Sequence, residues 1–170
     1  MARRKRAEKR KNQRGGFSLI LTILALAVVA AILVVGYKAY NTTMRNTAIR
    51  NASQQIETFL ATLDNIKASL GGYYPSTSGQ VDVSSTSPFQ EFLGTNKYAY
   101  ANWKYSCAQG TNSTAQVIVP ASFFGSVKEA PDICNAVALT IKKNTAWDAS
   151  CDSSGNLTIT KQNVVCQPAS

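Results

Sequence analysis

The apolar residues of this chain follow two different patterns, which meet near Gly36. No side chain between Gly15 and Tyr37 is charged, and almost every residue in that stretch is apolar. As a helix, residues 17–36 would be about 30 Å long, which matches the hydrocarbon core of a bilayer. The first pattern therefore predicts a helix that spans a membrane.

Beyond Gly36 the apolar residues recur at the spacing of one helix face. They are three or four positions apart, which predicts a stripe along one side of a helix: Ile49, Ala52, Ile56, Phe59, Leu63, Ile66 and Leu70. Gly71 and Gly72, with Pro75 just beyond them, predict where this helix ends. A coiled coil would need more alternating charges beside the stripe. We therefore expect the stripe to pack against the chain's own C-terminal domain.

Residues 73–170 are predicted to form that domain. Its first part, residues 73–87, is rich in Gly, Ser, Thr and Pro and is predicted to be a loop. A strand is predicted at residues 116–119, which are followed by Phe123 and Phe124 beyond Pro120. A second strand is predicted where apolar and polar residues alternate, at residues 157–160.

The segment 130–143 is ambiguous by its sequence. Pro131 and Asp132 resemble the start of a helix, and Ile133 would share a helix face with later apolar residues. Residues 136–141 could equally form a strand, but we favour the helix. The expected fold class is then α+β, in which a long helix packs on an antiparallel β-sheet.

Positive charge is concentrated at the N-terminus of the chain. The formal net charge is +9. Residues 1–16 contain eight basic residues and Glu8, whereas the ten basic and eight acidic residues from Phe17 onward nearly cancel. The domain therefore lacks the electrostatic footprint of a nucleic-acid-binding protein. Basic segments beside a membrane helix stay on the cytoplasmic side, so we expect the domain outside the cytoplasm.

Six aromatic residues lie close together after the predicted loop: Phe89, Phe92, Tyr98, Tyr100, Trp103 and Tyr105. Aromatic rings can stack on nucleic-acid bases, but such sites also need a positively charged groove. Because the domain is nearly neutral, we expect these rings in the core and in strands.

The four cysteines, Cys107, Cys134, Cys151 and Cys166, all lie in the predicted domain. The chain has no histidine and no C-x-x-C motif, which disfavours a zinc or redox site. Outside the cytoplasm two disulfides are expected, whereas four free thiols would need a reducing compartment. Three pairings exist. Cys107–Cys134 and Cys151–Cys166 are favoured because each closes a short local loop.

A basic segment followed by an apolar one fits three kinds of processing. A secretory signal is cut after the apolar region, an anchor is not cut, and a third kind of signal is cut before the apolar region. The apolar run is long for a secretory signal. The junction, RGG followed by FSLI at residues 14–20, resembles instead the class III signal of type IV pilins and type II secretion pseudopilins.

This resemblance implies that a prepilin peptidase cuts between Gly16 and Phe17 and that the Phe17 amine is methylated. The chain would then consist of a cleaved basic leader (1–16), a transmembrane and filament-core helix (17–36), its amphipathic continuation (37–72) and a globular pilin domain (73–170). The short exit from the helix and the small extra helix resemble the type IVb branch.

The same resemblance implies a bacterial precursor in the inner membrane that becomes part of an extracellular pilus. Its partners would be the peptidase, the pilus assembly machinery, and copies of itself or other pilins. The chain departs from the family at Leu21, where most members have a glutamate that is thought to neutralise the N-terminal ammonium of a neighbouring subunit. This departure leaves open whether the chain is a major subunit or a minor one at the tip.

The sequence indicates no catalytic residue, no cofactor and no metal. It has no histidine, no recognisable carboxylate pair and no glycine-rich phosphate loop. A structural protein is therefore expected rather than an enzyme. Two alternatives to a pilus subunit stay open. One is an uncleaved, membrane-anchored binding domain outside the cytoplasm, and the other is a pseudopilin in the periplasm.

Overall fold

The computed structural model describes residues 2–126 and 128–167, with side chains from residue 19 onward. Within these residues lie three α-helices: α1 (Ala2–Ser69), α2 (Phe89–Leu93) and α3 (Ala130–Asn144). Short 3₁₀ helices cover Gly94–Tyr100 and Ala121–Phe124. The strands in the same part of the chain are β1 (Val81–Asp82), β2 (Lys104–Cys107), β3 (Gly110–Val119), β4 (Asp148–Cys151) and β5 (Leu157–Cys166).

The chain divides into two compact units, one that ends at Met44 and one that begins at Arg45. The first unit consists of the N-terminal part of α1. The second contains the rest of α1 together with the sheet and the smaller helices. The division falls inside the segment 37–72 that the sequence predicts to be the amphipathic continuation of the helix.

The second unit contains one sheet with the strand order β1-β2-β3-β5-β4, and every neighbouring pair is antiparallel. Successive side chains of a strand point to opposite faces. In β3 the buried residues Ala115, Val117 and Val119 alternate with Gln116 and Ile118, which lie on the outer face. Both predicted strands are confirmed, and both are longer than the alternation alone indicated.

The apolar stripe is the part of α1 that enters the core of the second unit. Its central residues, from Ala52 to Ile66, are buried, and Ile49 and Leu70 lie at the margin of the core. The ring of Phe59 is centred 5.2 Å from that of Tyr100 and 5.3 Å from that of Trp103. The predicted α+β fold, a long helix packed on an antiparallel sheet, is confirmed.

Helix α1 ends in a Schellman motif at the predicted glycines. The N–H of Gly72 donates to the carbonyl of Lys67 at 2.9 Å, and the N–H of Gly71 donates to that of Ala68 at 3.3 Å. The φ angles of Gly71 and Gly72 are +70° and +95°. Glycine adopts such angles without a steric penalty, which explains why the helix stops here.

The predicted helix at residues 130–143 is confirmed as α3, and it lies beside the second part of α1. Arg45 Nη2 is 3.7 Å from Asp132 Oδ2, and Asn144 Nδ2 donates to Glu57 Oε1 at 3.0 Å. The two contacts are about three turns apart on both helices. The two helices therefore run in the same direction over this stretch.

The aromatic cluster is only partly in the core. Phe89, Tyr100, Trp103 and Tyr105 are buried as expected, but Phe92 and Tyr98 are 44% and 76% exposed. The expectation is wrong for these two because the segment forms α2 and a 3₁₀ helix rather than strands. The neighbouring loop, residues 73–87, is mostly irregular as predicted and contributes the short strand β1.

The disulfide pairing differs from the favoured one. Cys107 is bonded to Cys166, and Cys134 to Cys151, with 6.1 Å between the Cα atoms of each pair. The predicted pairs Cys107–Cys134 and Cys151–Cys166 are therefore wrong. Closing a short loop has only a small, logarithmic advantage over closing a long one, and the fold decides which cysteines meet.

The cysteines meet because of two tertiary contacts. Helix α3 packs against β4, which brings Cys134 to Cys151. The ends of β2 and β5 both bond to the loop that follows α1: Tyr74 pairs with Cys166, and the Thr77 N–H donates to the Cys107 carbonyl at 2.9 Å. This loop brings Cys107 and Cys166 together.

Candidate membrane-spanning and assembly segment

The first unit exposes a long apolar surface. The large apolar side chains from Leu19 to Val35 are between 51% and 67% exposed. Soluble monomers rarely expose contiguous apolar patches of this extent, and such patches mark contact with a membrane or another protein. This surface of α1 therefore requires a cover of lipid or protein.

The apolar residues of this segment are not confined to one face of the helix. Adjacent residues such as Leu19, Ile20 and Leu21 are exposed to similar degrees, although they point in directions about 100° apart. Within the described residues α1 is the helix that is long and apolar enough to cross a membrane. A helix that is apolar all round suits a uniformly apolar surrounding.

Aromatic and basic residues mark the C-terminal end of the apolar segment. Tyr37 and Tyr40 are 68% and 61% exposed, and Lys38 lies between them. Tyrosines are enriched where a membrane meets water, because the ring suits the acyl region and the hydroxyl reaches the headgroups. Long lysine side chains can likewise extend from a helix end to the interface.

Polar groups just beyond this end are satisfied within the helix itself. The hydroxyl groups of Thr42 and Thr43 donate to the carbonyls of Lys38 and Ala39 at 2.9 and 3.0 Å. Such bonds allow hydroxyl residues to sit on a helix in weakly polar surroundings, and they often bend the helix slightly. The transition from apolar to polar sequence thus takes place without an interruption of α1.

The predicted processing site lies inside the backbone of α1. Gly16 and Phe17 are both helical, and the side chain of Phe17 lies outside the described part of the structure. Cleavage between them and methylation of Phe17 therefore stay predictions. Leu21, the residue at which the chain departs from the pilin pattern it resembles, is 58% exposed. The first carboxylate after the basic segment is Glu57, which is held by Asn144 in the second unit.

No protein-family model, curated protein or solved structure matches this chain. The functional assignment therefore depends on the junction, the apolar helix and the disulfide-bonded domain.

A cluster around Tyr74 fixes the start of the domain beside its C-terminal strand. The Tyr74 hydroxyl donates to Asp64 Oδ1 at 2.8 Å, and Lys161 Nζ lies 3.9 Å from the same oxygen. Lys161 Nζ is also 5.2 Å from the centre of the Trp147 ring, a cation–π distance. Burial, together with the bond to Asp64, raises the pKa of Tyr74.

The Tyr74 cluster has a structural role, since it connects α1, the following loop and β5. The sequence did not indicate this cluster, because its residues are far apart along the chain and form no local motif. The only available signal was Tyr74 itself, a large residue directly after the helix-ending glycines.

The described residues contain no group of three or more His, Cys, Asp or Glu side chains that could hold a metal ion. In the part of the chain with described side chains, two carboxylates have a lowered pKa, and each has a local structural partner. A hydrogen bond from Lys142 lowers the pKa of Asp148. The pKa of Asp152 is lowered mainly by a hydrogen bond that the side chain of Asn156 donates to its carboxylate. The Asp152 carboxylate also accepts the Ser154 N–H in the turn before β5.

Proposed function

We propose that this chain is a structural subunit of a type IV pilus-like filament, cut after Gly16 by a prepilin peptidase and assembled through its apolar helix. One observation carries the proposal. The processing motif directly precedes the segment of α1 whose apolar side chains are exposed on all sides, and α1 continues from there into a disulfide-bonded domain.

In the precursor, charge and hydrophobicity set the orientation. The basic residues of 1–16 stay in the cytoplasm by the positive-inside rule, while residues 17–36 cross the bilayer. Tyr37 and Tyr40 then lie at the outer interface. The domain is outside the cytoplasm, where disulfides such as Cys107–Cys166 persist.

Removal of residues 1–16 changes what the helix can do. The leader carries eight basic residues, and moving such charges into an apolar environment is very unfavourable. Without them, the helix can leave the lipid and pack against the helices of other subunits. Both surroundings are apolar, so helix contacts and the assembly machinery, rather than the hydrophobic effect, decide the transfer.

Leu21 sets a limit on the kind of subunit. A leucine cannot neutralise the N-terminal ammonium of a neighbouring subunit. Residues 17–56 contain no aspartate or glutamate that could do so instead. The missing charge pair supports a position at the start or tip of a filament, or a filament that assembles without that pair. Counting copies of this chain per filament by quantitative mass spectrometry separates a minor from a major subunit.

The decisive experiment is the intact mass and N-terminal sequence of the chain from native membranes and from sheared filaments. We expect a chain that begins at methylated Phe17, with two hydrogens fewer for each disulfide. A chain that still begins at Met1 or Ala2 would indicate an uncleaved membrane anchor. A start beyond Gly36 would indicate a secreted domain, and either result would contradict the proposal.

A pair of glycine variants gives the genetic test. Gly16→Ala should accumulate as the uncut precursor, because this peptidase class requires glycine at the cleavage site, whereas Gly15→Ala should be processed normally. Equal processing of both variants would argue for a different protease. Recovery of the mature chain only from the periplasm, and never from sheared filaments, would favour the pseudopilin alternative.

A further inference from the structure

The outer face of the sheet carries a groove with a volume of about 610 Å³. Its floor is formed by β2 and β3, and its wall by the loop 76–79. Hydroxyl and amide side chains line it, namely Ser76, Ser78, Ser106, Gln109, Thr114 and Gln116, and none of its lining residues is charged or aromatic. We propose that this groove binds a neutral carbohydrate.

The floor of the groove is part of a regular strand pair. Ser106 in β2 lies opposite Gln116 in β3, and the Ser106 hydroxyl donates to Gln116 Oε1 at 3.4 Å. Thr114 lies two residues before Gln116, and therefore on the same face of β3. The floor thus presents polar groups that the sheet holds in place.

The wall is tied to the same strands. The Thr77 N–H donates to the Cys107 carbonyl at 2.9 Å, and the Cys107 N–H donates to Thr77 Oγ1 at 3.1 Å. The Thr77 hydroxyl also donates to the Gly79 carbonyl at 2.7 Å, and Cys107 is disulfide-bonded to Cys166. A groove held in this way is preformed, which lowers the entropy lost when a ligand binds.

The lining chemistry excludes other classes of ligand. An ion would lose its hydration without finding an opposite charge, and an apolar ligand would cover hydroxyl and amide groups without giving them hydrogen-bond partners. An added peptide strand would need a free edge on β2. The pairing of β2 with β3, and of Cys107 with Thr77, occupies its backbone groups at this end.

Neutral sugars complement this lining. Each sugar hydroxyl both donates and accepts, as do the serine and threonine hydroxyls and the glutamine amides of the groove. The volume is within the range of small-molecule sites. Because no aromatic ring provides a stacking surface, we expect weak binding with a Kd on the order of 1 mM. This inference does not depend on the pilus-like function.

The experiment uses the full-length, isotope-labelled chain in dodecylphosphocholine micelles, since that detergent has no sugar headgroup. Chemical-shift titrations compare glucose, galactose, N-acetylglucosamine and lactose with two charged relatives of glucose, glucuronic acid and glucosamine. We expect a neutral sugar to shift amide resonances of residues 76–79 and 106–116. The shifts should be insensitive to salt, because no ion pair contributes.

Two groove variants and one control complete the test. Thr114→Val and Gln116→Leu should each weaken sugar binding about fivefold, the loss of roughly one hydrogen bond. Thr158→Val, on the outer face of β5 but outside the groove, should leave it unchanged. The chemical-shift titration of the wild-type chain locates the sugar without any variant, so it tests the proposal even if a variant folds poorly.

Three outcomes would overturn the inference. The first is the absence of shifts in the groove with every neutral sugar at roughly 20 mM, well above the expected Kd. The second is equal or stronger binding of glucuronic acid or glucosamine. The third is undiminished sugar binding by both folded groove variants.

Discussion

Residues 19–35 and residues 49–66 belong to the same helix, yet their apolar side chains have different surroundings. In the first stretch they point in all directions and are exposed, and in the second they follow one face and are buried. The difference lies in periodicity rather than in residue type. A uniform pattern suits a partner that surrounds the helix, such as lipid or a bundle of identical helices. A periodic pattern suits a partner on one side.

Introducing an acidic residue should produce the largest difference in behaviour between the two stretches. Leu26→Asp places a carboxylate near the middle of the apolar segment, at a cost of about 3 kcal/mol for membrane insertion. We expect it to abolish retention in carbonate-washed membranes, measured by immunoblotting. Gln54→Asp, on the exposed side of the second stretch, should be retained normally. Full retention of both variants would contradict a membrane-spanning role for residues 17–36.

Truncation of a buried side chain should act only on the second stretch. Phe59→Ala leaves a cavity beside Tyr100 and Trp103, which should lower the free energy of unfolding by about 3–5 kcal/mol. The measurement is urea unfolding in micelles followed by tryptophan fluorescence. Leu26→Ala should change this free energy by less than about 0.5 kcal/mol. Comparable losses for both variants would refute the difference between the stretches.

The disulfides should stabilise the second unit without affecting the first. In the chain-entropy treatment, loss of Cys107–Cys166, with a separation of 59 residues, costs about 4 kcal/mol. Loss of Cys134–Cys151, with a separation of 17 residues, costs about 3 kcal/mol. Paired serine variants and urea unfolding test this order.

Two controls accompany the disulfide variants. Peptide mapping without reduction should recover Cys107 with Cys166, and recovery of Cys107 with Cys134 would show that the pairing is different. In membranes, reduction of both bonds should remove near-ultraviolet circular dichroism from the domain. The far-ultraviolet helical signal of the apolar segment should persist.

The smallest expected effects come from replacing one glycine inside α1 and one just beyond its end by alanine. Gly72→Ala forces a side chain into a φ of +95° and should destabilise the second unit by about 1 kcal/mol. Gly36 lies inside α1 and has open space where a Cβ atom would be added, so Gly36→Ala should be neutral or stabilise the helix by up to about 1 kcal/mol. Urea unfolding measures the first change, and thermal loss of helical circular dichroism measures the second. Destabilisation by both variants would show that Gly36 has a conformational role.

Features that depend on neighbouring residues could be predicted from the sequence. The apolar stripe from Ile49 to Leu70, the helix stop at Gly71 and the strand around Val117 each follow from a repeat or a turn signal within a few positions. The apolar segment was predictable for the same reason, since hydrophobicity and length alone define it.

Features that depend on strand order could not be predicted. The pairing of Cys107 with Cys166 requires the loop after α1 to join the ends of β2 and β5, and nothing local indicates that meeting. The carbohydrate groove was missed for a similar reason. Serine, threonine and glutamine are common in loops, and the residues around Thr77 and Gln116 become a site only when the sheet brings them together.

The Cys107–Cys166 bond also has a mechanical consequence. It encloses β3, α3, β4 and β5 in a covalent loop that spans a separation of 59 residues, equivalent to about 200 Å of fully extended chain. A pull between helix α1 and the C-terminal end cannot release that length. Tension that reaches Cys107 passes to Cys166 through one sulfur–sulfur bond, and the strands between them carry none of the load.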